Sequence, residues 1–452
     1  MRQSSPTRSS RSPRGNDLTA KSKASRKPSL SVVARCAHFF QILGPGFVTG
    51  AADDDPSGIS TYSVAGASTG YSMLWLTLIS TPMMAVVQGM CARISMVSGE
   101  GLAAVMRKHL PLVVAYGLAS LVIIANTFNV GADIAGMAAA AHLVLPLPVD
   151  AWVFFFGVAL LVAQGFLSYS TIARIFKWLA LALIAYIITA LIVHPPWPHV
   201  LLQFITPQIH LNATWLSTMV GVLGTTITPY LFFWQASMMV EEDKKSGNTT
   251  LASRRGSDQP AIRDAHADIN AGMIFSNIVA FFIIVTTAST LGAAGKHDIA
   301  TAQQAAEALR PLAGNFASLL FTLGMVGTGI LAVPVLAASS AYVAAGTFKF
   351  REGLNEQPRR APIFYGVIAA GIVIGIMMDL LRIDPIKALF WCAVLNGIAA
   401  VPILAVIVRL ASDRKVMGQW RSSVLAKAWG WSTVALMGIA VLGMFYFMAK
   451  GT

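Results

Sequence analysis

Ala51-Ala52-Asp53-Asp54-Asp55-Pro56-Ser57-Gly58 interrupts an apolar stretch running from about residue 37 to residue 67. A stretch of that length and hydrophobicity reads as a bilayer-crossing helix, and Pro56 with Gly58 breaks it near mid-membrane depth. Each ionised carboxylate at a helix centre costs about 2.5–3.5 kcal/mol on insertion scales, so three in succession call for a positive partner. No Lys or Arg stands at that depth in the first, third or sixth helix, which leaves a mobile cation as the economical counter-ion. Carboxylate, hydroxyl and freed backbone carbonyl oxygens are the ligands hard divalent ions prefer. Asp55-Pro56 is also an ordinary N-cap and N1 pair, so one carboxylate has a structural role open to it. Asp55 is expected to do both jobs; Asp53 and Asp54 either join the cation or face an aqueous vestibule.

The rest of the chain agrees with a membrane setting. Of 452 residues 55% are hydrophobic and 12% charged, against roughly 25% charged in soluble domains. Uncharged runs cover 71–92, 151–168, 178–193, 316–348 and 428–449. Eleven helices are expected, over approximately 37–67, 71–96, 111–143, 150–168, 171–194, 214–240, 268–294, 315–346, 362–381, 386–410 and 428–449. With the N-terminus in the cytoplasm, only Lys296, Arg310, Arg382, Lys387 and Lys450 of the 33 Lys and Arg fall outside. That asymmetry orients the chain, puts the C-terminus outside, and reads the net charge of +13 as a topology signal rather than a nucleic-acid surface.

Residues 1–35 hold nine Lys or Arg, many Ser and one acid, and cannot bury a core. They read as a disordered cytoplasmic tail, with an organelle transit peptide as the other reading of that bias. Residues 36–410 form a ten-helix core, and 411–452 add a cytoplasmic loop and the eleventh helix. The polar inner loop 241–267 is expected to be a flexible connection. Cys36, Cys91 and Cys392 fit neither a disulfide framework nor a zinc site and read as small core residues.

A second break, Gly224-Thr225-Thr226-Ile227-Thr228-Pro229-Tyr230, lies in the sixth helix. Breaks in helices one and six occupy corresponding positions of two five-helix halves, the pattern of inverted-repeat transporters with a central site. In the third helix Asn126, Asn129 and Asp133 recur three and four apart, giving one polar face. That face is either a proton or ion path or an interhelical hydrogen-bond network, and Gln88 and Asn396 carry the same two readings.

Gly44-Pro45-Gly46-Phe47 followed by Asp55-Pro56-Ser57-Gly58 resembles the first-helix signature Asp-Pro-Gly-Asn of the NRAMP family of divalent metal transporters. Gln88, Arg93, Gly99 and Leu102 resemble the family's second helix, the sixth-helix stretch resembles the place of its Met-Pro-His, and Asp133 sits where it carries a third-helix Asp. The resemblance spans roughly residues 37–410. It implies an all-α LeuT-like fold, a five-plus-five inverted repeat with an added eleventh helix, alternating access, and metal import that is often proton-coupled. It also carries Asp55 and the backbone carbonyls of Ala52 and Thr225 to the metal site. This chain departs from the family at Gly58 for the Asn ligand, Thr228 for the Met ligand, Tyr230 and Gln235 for two His, and Asn126 for a Glu.

Those departures resemble the NRAMP-related branch some of whose members carry magnesium. Loss of the thioether removes the soft ligand that favours transition metals. With Asp55, Thr228 and Asp54 supplying oxygen, the expected substrate is Mg or Mn. Gly58 and Thr228 are both small, so a roomier cavity that admits a partly hydrated ion is expected. Loss of the His and Glu removes titratable groups and predicts weak or absent proton coupling, with Asp133 the remaining relay candidate. The expected partners are thus divalent metal ions, protons and the lipid bilayer of the cell membrane, with no nucleic acid and no cofactor.

A sodium-coupled symporter of a small organic solute is the alternative on the same fold, although three Asp beside the site would repel an anion. His38, His109, His194, His199, His210, His266 and His297 are scattered near helix ends and make no catalytic set, so an enzyme is not expected.

Overall fold

The computed structural model describes residues 44–166, 183–379 and 383–451. The expected tail over 1–35, Cys36 and Arg382 lie outside them. The first expected span is two helices, α1 (Pro45–Asp53) and α2 (Pro56–Thr69). Then come α3 (Leu74–Ser98), α4 (Leu102–His109), α5 (Leu112–Val144), α6 (Val149–Phe166), α7 (Ile184–Val193) and α8 (Trp197–Ile205). The sixth span is likewise divided, into α9 (Ala213–Thr226) and α10 (Pro229–Lys245). The chain continues through α11 (Leu251–Arg254), α12 (Gln259–Thr287), α13 (Ala302–Ala306), α14 (Arg310–Ala313), α15 (Ala317–Phe348), α16 (Pro362–Asp379), α17 (Pro385–Ser412), α18 (Arg414–Met417) and α19 (Val424–Lys450). Among the described residues eight helical segments are long and apolar enough to cross a bilayer, and no strand occurs.

Local chemistry sets most boundaries. Asn212, Asp258, Asp384 and Ser423 cap α9, α12, α17 and α19 through their side chains, and Pro follows at the start of α12 and α17. Gly99 ends α3 with φ +71°, in the left-handed region that favours glycine. Large apolar side chains such as Ile439 (70% exposed) and Leu442 (71% exposed) cover the outside of α19, as lipid-facing positions should.

Helix α12 is the strut of the assembly, packing against α1, α2 and α3 at once. It meets α1 almost backbone to backbone: a Cβ on Gly50 would lie 2.2 Å from the Gly272 carbonyl oxygen. On the other side α17 lies against α9, α2, α5 and α19, and a Cβ on Gly224 would lie 2.1 Å from the Ala393 carbonyl oxygen and 2.4 Å from the Gly397 nitrogen. Small residues let membrane helices approach this closely, which seats each broken span against an unbroken one.

The loop expected to be flexible is built into the fold. Helix α10 runs on to Lys245, α11 follows, and α12 starts at Gln259, nine residues before the expected beginning of the seventh span. Arg254 Nε donates to the Gly99 carbonyl at 3.1 Å, and Gly256 N to that of Val97 at 3.1 Å, so this loop satisfies the carbonyl end of α3. Buried Glu241 accepts from Lys244 at 2.8 Å and from Asn355 at 2.9 Å, tying α10 to the segment after α15.

Gly224→Ala should therefore lower stability by at least about 1–3 kcal/mol, because the new methyl meets main chain that cannot turn aside. Gly117→Ala, where a Cβ meets nothing within 4 Å, should be neutral or slightly stabilising. Thermal unfolding of the purified variants in detergent checks both.

Candidate cation site

The first break occupies two residues. Helix α1 ends at Asp53, Asp54 adopts a non-helical conformation (φ −84°, ψ 51°), and Asp55 is extended (φ −69°, ψ 173°) as the N-cap of α2. Oδ1 of Asp55 accepts from Ser57 Oγ and from Gly58 N, each at 2.7 Å. Its other oxygen accepts from Asn129 Nδ2 of α5 at 3.1 Å and lies 3.5 Å from the Tyr230 hydroxyl of α10. Asp55 is thus a helix cap and also the point where spans one, three and six meet.

The sixth-span break lies opposite. Ile227 is non-helical and Thr228 is the N-cap residue of α10, but its hydroxyl makes no capping bond and is buried without a hydrogen-bond partner. Tyr230 donates its hydroxyl proton to the Ala52 carbonyl at 2.8 Å, so that carbonyl, an expected metal ligand, is shared with a phenol. Thr226 Oγ1 lies 3.0 Å from the Tyr62 hydroxyl. A Cβ on Gly58 would lie 3.2 Å from the Asp53 carbonyl oxygen and 3.3 Å from Thr225 Oγ1. A methyl group at Gly58 would therefore fit only if a neighbouring oxygen gave by a few tenths of an ångström.

The remaining expected residues divide. Asp133 is fully buried beside Asp55 and near the Ser57 backbone N–H, with neither oxygen in a hydrogen bond of normal geometry. Asp54 turns away from the Asp55 contacts: Ser276 of α12 donates to Asp53 Oδ2 at 2.7 Å and lies 3.3 Å from Asp54 Oδ1. Asn126 Nδ2 donates to Ser340 Oγ at 3.0 Å, so it ties α5 to α15. Gln235 accepts from Thr49 Oγ1 at 2.7 Å, on the α1 side of the break. Asn129 and Asp133 thus belong to the Asp55 region, whereas Asn126 and Gln235 serve as links between helices. Ser276 was missed from sequence, although the polar pair Ser276-Asn277 inside an apolar run was the available signal.

Asp53, Asp54, Asp55 and Asp133 take part in none of the ion pairs among the described residues, which lie at Lys108–Glu100, Lys244–Glu241, Arg263–Asp264, Lys296–Glu307 and Arg351–Glu356. No group of three or more His, Cys, Asp or Glu side chains converges among the described residues. Any cation held here would accordingly draw on hydroxyl and main-chain oxygens as well as carboxylate, a hard donor set. Above the break a cavity of 460 Å³ is lined by Ser68, Thr214, Ser217, Thr218, Asp298 and Lys387, among others. Below it, the side chains of Thr61, Phe390 and Val394 crowd Gly221.

Residues 46–447 match the family model described as natural resistance-associated macrophage protein-like (Nramp). The chain belongs to the Nramp family. Among curated Nramp relatives, the divalent metal cation transporter MntH of Agrobacterium fabrum is 26% identical over 429 residues, covering 90% of this chain and 86% of that protein. The protein of the same name from Aeromonas hydrophila is 25% identical, covering 91% and 97%. A crystal structure of the Eremococcus coleocola manganese transporter superposes with a TM-score of 0.69 at 18% identity, over 94% of this chain and 90% of that one. MhsT in complex with L-phenylalanine superposes with a TM-score of 0.54 at 13% identity, over 89% and 98%. The fold of this Nramp protein is LeuT-like, with two five-helix halves each opened by a broken helix, and the chain is a multi-pass integral membrane protein.

Asn126→Ala should lower stability by about 0.6–1.7 kcal/mol, the range of measured membrane interhelical hydrogen bonds, and leave cation affinity unchanged. Thermal unfolding and calorimetric titration with Mn on the same preparation check the two halves of that expectation.

Proposed function

We propose that this chain carries divalent metal cations across the cell membrane by alternating access, binding them between the breaks of spans one and six. The observation that carries this is Asp55: a fully buried carboxylate at the meeting point of two broken helices, with neutral donors around it and no ion pair among the described residues. The MntH names of the relatives and the manganese transporter among the structural neighbours support the same substrate class. Asp55, the Ala52 and Thr225 carbonyls and the Thr228 hydroxyl are the proposed ligands. For Ala52 to contribute, the Tyr230 hydroxyl has to yield its hydrogen bond or join the shell. Asp54 is a ligand only if the break rearranges, since it now shares Ser276 with Asp53.

An all-oxygen set favours Mg or Mn over Cd. Mg keeps several of its waters and Mn binds most sites more tightly than Mg, so discrimination between those two should be modest. Asp133 is the candidate coupling group on the Asp55 side, and proton coupling is expected to be weak or absent. The N-terminus and the loop 241–267 are proposed to be cytoplasmic, 295–315 and the C-terminus external, and 1–35 a basic tail.

Uptake of Mg, Mn and Cd into liposomes containing the purified protein tests the central claim. Asp55→Ala should reduce uptake to background with the fold retained, and metal-driven acidification of the lumen at fixed stoichiometry would disprove the uncoupled mechanism. Thr228→Met should raise Cd affinity if Thr228 faces the ion; a protein that already prefers Cd to Mn would require a sulfur ligand, with Met238 and Met239 the first to test. For orientation, a cysteine introduced at Ser257 should resist a membrane-impermeant reagent applied to intact cells.

A further inference from the structure

Asp268 has no part in the site just described, yet it makes the densest set of side-chain to main-chain hydrogen bonds near it. Its Oδ1 accepts from Gly44 N at 2.8 Å and from Phe47 N at 3.0 Å, and its Oδ2 from Gly46 N at 2.6 Å. Gly46 and Phe47 belong to the first turn of α1, whose N–H groups have no partner within their own helix, and Gly44 is the residue before it. The cap usually supplied by the residue before a helix comes here from α12, more than 220 positions away in sequence. The N-cap position itself is Gly44, whose lack of a side chain leaves the place to Asp268.

From this geometry we propose that Asp268 is a positioning residue, a clasp that holds the half-helix α1 against α12 and sets how often the α1 side of the cation site opens. The proposal rests on the alternating-access reading. Helix α1 has nine residues and is severed from α2 at Asp54 and Asp55, so it can swing as a unit without distorting α2. Four hydrogen-bonded attachments oppose that swing. At its far end Ala52 accepts from Tyr230 and Asp53 accepts from Ser276 of α12; midway Thr49 donates to Gln235; at its start Asp268 holds three N–H groups. Two of these involve a carboxylate, Asp53 with one donor from α12 and Asp268 with three, and hydrogen bonds to an ionised carboxylate are roughly twice as strong as neutral ones. The Asp268 carboxylate also faces the positive end of the α1 dipole.

Gly46 and Gly50 lie against Gly272 and Ile269 with no room for a methyl group, and Phe47 meets Phe275 across the same seam with ring centroids 5.6 Å apart. The seam is thus largely main chain against main chain, and the three bonds to Asp268 are the densest polar hold on the start of α1. The N–H groups freed at the start of α1 can be taken over by water, which keeps release reversible.

The test uses purified full-length protein in detergent, with the native cysteines replaced, and reads the rate at which a small thiol reagent modifies a cysteine introduced at Ala51, buried on α1. Asp268→Asn should raise that rate about tenfold, the response to losing one charge-assisted bond, and Asp268→Glu should restore most of the protection. A second reporter at Ser217, which lines the opposite cavity, should be modified more slowly in Asp268→Asn, a reciprocal change that general loosening would not produce. Unchanged rates at both positions in a folded variant overturn the clasp. A faster rate at Ala51 with an equal rise at Ser217 overturns it also, as loosening. A faster rate at Ala51 with Ser217 unchanged keeps the clasp and counts against alternating access instead. Should Asp268→Asn fail to fold, hydrogen exchange of the unaltered protein decides: amides of 44–47 should exchange together with those of 48–53 as one unit. Free exchange of 44–47 beside protected 48–53 would refute the proposal.

Discussion

A helix interrupted inside a bilayer must find new partners for the main-chain groups the interruption frees, because hydrocarbon offers none. The rest of this protein is arranged around that requirement at Asp54 and Asp55. The first turn of α2 is capped by Asp55, the last carbonyls of α1 are served in part by Tyr230 from the other broken span, and the start of α1 is capped by Asp268 from α12. The first is local, the second brings α10 to the break, and the third ties the far end of α1 to α12. The site is therefore a consequence of repairing the chain as much as of placing ligands on it.

Charge imposes the second constraint. Four buried carboxylates stand near the breaks, and the ion pairs among the described residues all lie elsewhere. Neutral donors divide the load: Ser57, Gly58 and Asn129 on Asp55, and Ser276 on the Asp53 and Asp54 pair. Such donors stabilise a carboxylate without cancelling its charge, so a substrate cation and not a protein cation completes the balance in the proposed mechanism. The same arrangement disfavours an anionic solute at this position.

Small residues make both solutions possible. Gly50 with Gly272 and Gly224 with Gly397 permit main-chain contact between α1 and α12 and between α9 and α17. Larger residues there would push α1 from α12 and α9 from α17. Where the family pattern has Asn, Gly58 has the Asp53 carbonyl and the Thr225 hydroxyl close around the place a Cβ would take.

The sequence by itself determined the all-helical membrane-spanning plan, the two breaks and the place of Asp55 as a helix cap. These follow from local rules: the length of apolar runs, the meaning of Pro and Gly inside them, and the cost of a carboxylate in hydrocarbon. Family membership was legible too, from the motif around Asp55-Pro56 and its counterpart before Tyr230. Only the tertiary structure decided which polar side chains meet. Asn126 and Asn129 lie three residues apart on one helix, yet one binds Ser340 and the other Asp55, since the neighbours of a helix face are set by packing. Likewise the contacts of Asp268 and Arg254 emerge only in the structure, because a cap donated from another helix leaves no trace in the spacing of the helix it caps.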